Sequence, residues 1–119
     1  MSTPKKQIKL GAFLSSSGHH LASWRHPNAQ ADGGLNIQHF KHLAQTAERG
    51  KFDMIFFADG VAVRDRGQGT EVLSRNGKLV HFEPLTLLSA LSVVTERIGL
   101  TATVSTTYNE PYHLARKFA

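Results

Sequence analysis

Apolar and polar positions along this chain switch repeatedly between a period near two and a period near 3.6. Residues 7–14 (QIKLGAFL) are short, apolar and bounded by polar neighbours, the pattern of a mostly buried strand. A long polar connection runs through Gly33 and Gly34, after which Ile37, Phe40, Leu43, Ala44 and Ala47 fall on one helical face. Asn36 is placed to cap that helix and Gly50 to stop it. Residues 52–59 (FDMIFFAD) are apolar on both alternating faces, as in a parallel strand covered on two sides, and end on a carboxylate.

A second polar excursion covers residues 60–81, with Arg64, Asp65, Arg66, Gly67 and Gly69 inside it. Glu83-Pro84 then opens a second helix, predicted to carry Leu85, Leu88, Leu91 and Val94 on its apolar face and to end at Gly99. Residues 100–107 (LTATVSTT) read as a third strand, with Leu100, Ala102 and Val104 on one side and Thr101, Thr103 and Ser105 on the other. Glu110-Pro111 repeats the earlier Glu-Pro start, and Leu114, Ala115 and Phe118 begin another apolar face.

The order strand, helix, strand, helix, strand, helix start specifies an α/β chain with a parallel sheet, either doubly wound or a (β/α) barrel. The helix-to-strand junctions resemble each other, Glu48-Arg49-Gly50 before Phe52 and Glu96-Arg97-Ile98-Gly99 before Leu100, as repeated units would. The last helix is cut at about two turns without a C-terminal cap, and a closed eight-stranded barrel needs roughly 250 residues. The expectation is therefore the N-terminal three βα units of a (β/α)8 TIM barrel, with residues 1–119 forming the front of one such domain.

Composition narrows the chemistry. The absence of cysteine removes disulfides, zinc-thiolate sites and iron-sulfur clusters. The apolar segment behind the N-terminal lysines is only a strand long, so neither a signal segment nor a membrane span is indicated and a cytoplasmic protein is expected. A net charge of +5 suits an anionic partner, whether nucleic acid, an acidic metabolite or a phosphate-bearing cofactor. The tightest basic group, Lys5, Lys6 and Lys9, lies at the N-terminus, and no stripe of Lys and Arg interleaved with exposed aromatics points to nucleic acid.

In parallel α/β folds the C-terminal strand ends share one face, where ligands bind. That gathers residues 15–20, Asp59 and residues 105–108. Asp59 after an apolar run is either a turn aspartate before Gly60 or a functional carboxylate that needs a donor partner. His19 and His20 are acid/base or anion-binding candidates, or inconsequential loop histidines; with His26 they make a poor metal pattern, and no metal is expected. Trp24 is a lid or, more simply, a core anchor. Ser105, Thr106 and Thr107 offer hydroxyls, although threonine at a strand end is often strand propensity alone. No G-x-G-x-x-G, P-loop or G-x-S-x-G occurs.

Four stretches together resemble a known family: GHHLASWRHP at 18–27, ERGKFDMIFFAD at 48–59, HFEPL at 81–85 and TVSTTYNEPYHLAR at 103–116. They are similar to the N-terminal part of the bacterial luciferase-like two-component flavin monooxygenases. The nearest group is that of the nitrilotriacetate monooxygenase oxygenase component, dibenzothiophene-sulfone monooxygenase and pristinamycin synthase. The resemblance implies a barrel that takes reduced FMN from a separate NAD(P)H:flavin reductase, and a flavin C4a-peroxide, formed with O2, that oxygenates a small organic substrate in a homo-oligomeric enzyme.

By position, the resemblance makes Asp59 and Thr106 flavin contacts with Ser105 beside them. Phe13, His20 and Phe57 become lining of the pocket over the isoalloxazine, with His20 the catalytic candidate. Strict alternation would point Ser105 inward and Thr106 outward, unless a bulge or unusual peptide geometry shifts the third strand. Later units hold the flavin phosphate in that family, so these 119 residues alone are expected to be inactive. The rival reading is a truncated, non-catalytic paralogue that acts as an interaction module through exposed sheet edges.

Overall fold

Three short parallel strands, β1 (Gly11–Leu14), β2 (Met54–Phe57) and β3 (Gly99–Ala102), lie side by side in chain order. The computed structural model describes residues 6–20, 22–63, 69, 71, 73, 75 and 78–119; Lys5 and residues 64–67, noted above, lie outside them. The register pairs Phe13 with Phe56 and Phe56 with Thr101, so these three share one face. Leu14, Phe57 and Ala102 are paired on the other. Each strand is shorter than its apolar run: residues 7–10 and 103–107 continue beyond the regular ladder, and Ile8 is 86% exposed.

Both crossover helices, α1 (Ile37–Arg49) and α2 (Pro84–Ser92), cover the same face of this sheet. Phe40, Ala44 and Ala47 from α1 meet Ile55 and Phe57 from the central strand and Leu87, Leu88 and Leu91 from α2. Strands laid down in sequential order by crossovers of one hand put every helix on one side, whereas a doubly wound sheet must reverse its order to use both. This topology opens a singly wound barrel and equally one half of a doubly wound sheet, whose first three strands also run in sequence. It also corrects the expectation that β2 is covered twice. Ile55 is fully buried on the helix side, while Met54 is 42% and Phe13 51% exposed on the bare side.

Helix ends show where the apolar pattern is bent by capping. The Asn36 side chain accepts the Gln38 and His39 amides, as expected. The C-terminus of α1 turns one residue later than expected. Gly50 keeps a negative φ, and Lys51 takes the left-handed conformation at φ 59°, with its amide donating to Glu48 O and the Phe52 amide to Ala47 O. This is a Schellman arrangement with lysine where glycine is usual. Left-handed backbone costs a residue with a Cβ roughly 1–2 kcal/mol. Lys51→Gly is therefore expected to stabilise the fold by about 0.5–1 kcal/mol after glycine's larger unfolded-state entropy is counted, measurable by urea unfolding.

Glu83 caps α2 by accepting the Leu85 and Thr86 amides at 3.0 and 2.8 Å. Partial burial opposes its ionisation, but these bonds prevail and hold the carboxyl below its ordinary range. Anchored there, α2 buries Leu87, Leu88 and Leu91, so Leu87 replaces the predicted Leu85 on the inner face. The helix ends at Ser92, and Gly99 opens β3 instead of closing the helix.

The intervening turn is held by Glu48, whose Oε1 accepts the amides of Glu96, Arg97 and Ile98 at 2.9, 2.6 and 3.0 Å. The two similar junction sequences are thus not equivalent in space: the first grips the second. Those amides, Arg97 foremost, hold the Glu48 carboxyl below its ordinary value of 4.5. A carboxyl depressed in the folded state lends stability that is complete above the unfolded value and is lost as pH falls through the folded one. Glu48→Gln is expected to lower the thermal midpoint at pH 7 and to converge with the parent chain only as pH falls through the lowered pKa of the folded state, which midpoint measurements across pH will read.

Asp53 does the same for β1, accepting the Leu10 amide at 2.8 Å and Lys9 Nζ at 3.0 Å. The last helix, α3 (Pro111–Phe118), starts on Glu110 without the side-chain cap that Glu83 makes, and none of its residues is buried.

Candidate active site

The N-terminal strand ends are occupied by these structural carboxylates, and the polar loops gather at the opposite end. Phe13, the third residue of β1, lies on the bare face with its ring centroid 4.9 Å from Phe56 and 4.4 Å from His19. His19 Nε2 is 2.9 Å from the Phe13 carbonyl oxygen. A carbonyl only accepts, so Nε2 carries the proton. His39 Nε2 donates in the same way to Ser16 O at 2.7 Å, tying the start of the loop to α1.

Gly18, at φ 84°, uses the freedom that only glycine has at that angle to turn the loop so that its carbonyl and that of His20 receive one ammonium. Lys78 Nζ donates to both at 2.7 Å, reaching them from the excursion between β2 and α2. Ser23 Oγ adds a bond to His20 O at 2.8 Å. Burial at this crossing lowers the Lys78 pKa.

Between these loops and the strand ends lies a cavity of about 260 Å³, with Phe13, His19, Phe57, Lys78, His81 and Phe82 on its wall. That is slightly below the roughly 300–1,000 Å³ of a complete ligand pocket. Its lining is mostly apolar, with a few polar groups that converge. Phe57 sits on the helix side of β2, 5% exposed and 5.6 Å from the Phe40 ring, so it serves core and cavity wall together. Phe56, not singled out by sequence, is the residue that shares Phe13's face.

Asp59 lies just past β2, with its side chain 22% exposed and Oδ1 3.7 Å from His81 Nε2. Lys78 and His81 also border the adjoining hollow that Asp59 lines. The nearest cationic candidate to Asp59 is therefore His81, beyond direct hydrogen-bond distance, which sequence reading passed over although it stands two residues before Glu83.

Ser105, Thr106 and His20 are not on the cavity wall. The ladder reaches one residue past β3, with the Thr103 amide donating to Phe57 O at 3.0 Å. The chain then turns: Ser105 Oγ accepts the Thr107 amide at 3.2 Å, and Thr106 is exposed. Strand alternation consequently does not govern residues 105–107. His20 faces a separate concavity with Arg25 and His26.

A parallel sheet in sequential order, sealed by helices on one face and bare on the other, with a cavity at its C-terminal edge, is what part of a (β/α) barrel presents. The chain belongs to the luciferase-like monooxygenase family, which it matches over residues 17–119. It is 56% identical to N-acetyl-S-(2-succino)cysteine monooxygenase of Bacillus subtilis (strain 168), over 100% of this chain and 25% of that protein. Identity to nitrilotriacetate monooxygenase component A of Aminobacter aminovorans is 44%, over 96% of this chain and 26% of that one. The crystal structure of riboflavin lyase with modified FMN and riboflavin superposes with a TM-score of 0.81 at 28% identity, over 94% of this chain and 26% of that one. The chain thus spans about a quarter of the curated relatives it matches. The family suggested by the four sequence stretches is the family found.

Proposed function

We propose that these residues form the first three βα units of a (β/α)8 barrel in an FMNH2-dependent monooxygenase that oxygenates a small organic substrate. The observation that carries this reading is the bare sheet face. Phe13, Met54 and Phe56 stand unsealed beside Thr101, while the opposite face is closed by helices. A flat apolar surface with polar groups at its rim fits a planar ring system. Bound there, reduced flavin supplies the electrons that activate dioxygen. Phe13 lines the substrate side, Phe57 closes the cavity behind it at the strand end, and Asp59, Ser105 and Thr106 make the polar contacts to the flavin. His19, fixed by the Phe13 carbonyl and stacked on its ring, serves as the pocket imidazole in place of His20.

The reduced flavin comes from a separate NAD(P)H:flavin reductase, and the enzyme works in the cytoplasm as a homo-oligomer. Among the described residues no helix is long and apolar enough to cross a membrane. Two relatives are named for carboxylate-rich substrates, which places organic acids first in a panel with sulfones and alkanes. The test is oxygen uptake by a polypeptide that carries this chain at the length of its relatives, given reduced FMN and that panel. No substrate-dependent uptake would sink the reading.

A further inference from the structure

The loop after β1 has a second concave surface that the flavin reading does not use. A concavity of about 620 Å³ on its outer side is bordered by His20, Ser23, Arg25, His26 and Asn28. Its imidazoles are locked. His20 Nδ1 accepts the Ala22 amide and His26 Nδ1 accepts the Asn28 amide, each at 3.1 Å. A nitrogen that accepts an N–H bond is unprotonated, so in both neutral rings Nε2 bears the hydrogen and is left as a donor. The same device, a backbone amide two residues on, thus sets two histidines six positions apart in the same tautomer.

Arg25 stands between them in the chain with its guanidinium carbon 5.9 Å from the Trp24 ring centroid. Among the described residues no hydrogen bond occupies its guanidinium N–H groups. No carboxylate is on the wall of this concavity. Among the described residues no cluster of three metal-ligating groups exists. The backbone beneath is fixed from outside by the Lys78 and Ser23 bonds to His20 O. Donors without acceptors, on an anchored loop of a chain with net charge +5, are what an anion requires.

We propose that this concavity binds a small oxyanion, a carboxylate or phosphate group, through the Arg25 guanidinium and the Nε2–H groups of His20 and His26. It is separate from the Phe13 cavity and is indifferent to whether flavin binds there. Arg25 supplies the charge and the two imidazoles supply direction.

The test is an NMR titration of the isotope-labelled chain, without flavin, using inorganic phosphate and succinate in separate series at constant ionic strength. The expected result is a saturable shift of the His20 and His26 ring signals, with the exposed His42 and His113 unmoved as internal references. Saturation by phosphate alone assigns a phosphate group, by succinate alone a carboxylate, and by both a general oxyanion site. Arg25→Gln is expected to weaken binding at least tenfold. His26→Asn keeps an acceptor for the Asn28 amide, removes the Nε2–H and leaves only the shorter-reaching amide NH2 as donor, and is expected to weaken binding several-fold with the loop intact. Dispersion of the amide spectrum reports folding of each variant, and either folded variant suffices. Shifts shared equally by all histidines, or an affinity unchanged in the folded variant, would overturn the proposal. Because flavin is absent throughout, this failure is distinct from a failure of oxygen uptake.

Discussion

Ile55→Ala is expected to cost the fold about 2–5 kcal/mol, the range for truncating a fully buried aliphatic side chain. Ile55 is 0% exposed in the central strand, enclosed in the cluster that α1 and α2 build over the sheet. Its neighbour gives the control. Phe56→Ala removes more atoms but from the bare face, where the ring is half-buried and meets Phe13, so a loss well below that of Ile55→Ala is expected. Chemical denaturation of both variants reads the difference. Equal losses would mean that both faces of the sheet are sealed, contrary to the arrangement on which the proposed site depends.

Gly34→Ala is the second change with a large expected effect. A Cβ at Gly34 would lie 2.2 Å from the carbonyl oxygen of Val80 and 3.4 Å from its carbon. The neighbour is backbone, which cannot rotate away, so two loops must separate. Overpacking of this kind costs about 1–3 kcal/mol and sometimes more. The damage should be directional. Gly34 ends the loop after β1 and Val80 precedes α2, so prying them apart shifts His81 and Phe82 relative to His19. Faster amide exchange at residues 15–20 and 78–82, with α1 still protected, is the expected pattern. Uniform loss of protection would place the strain in the core instead.

Several features were legible because one local rule produced them. The Asn36 cap, the inner face of α1 around Phe40, Ala44 and Ala47 and the Glu83-Pro84 start follow from spacing and capping chemistry, and each appears where the pattern puts it. Misplacements arose where two rules competed. Leu85 and Leu87 are equally apolar, and the choice fell to the Glu83 cap, which sets the rotation at which α2 meets the sheet. Gly50 and Lys51 both stand at the end of α1, and the left-handed turn fell on the lysine, with the Gly50 amide still donating helically to Thr46 O.

The candidate site was legible in outline only. Strand ends pointed to segments that gather at the C-terminal edge of the sheet, and within the first of them His19, not His20, reaches Phe13, because the Gly18 turn and the Lys78 bonds set the course of the loop. No periodicity encodes a contact between residues 58 and 60 positions apart.

That contact also has a kinetic meaning. The chain between the ends of β1 and β2 must already be folded before Lys78 can find the Gly18 and His20 carbonyls, and closing the long excursion that carries Lys78 opposes it with loop-closure entropy. An interaction that forms last and gathers little apolar surface is among the first to open in the native state. Amide exchange at residues 18 and 20 is therefore expected to be faster than in the helices beneath them.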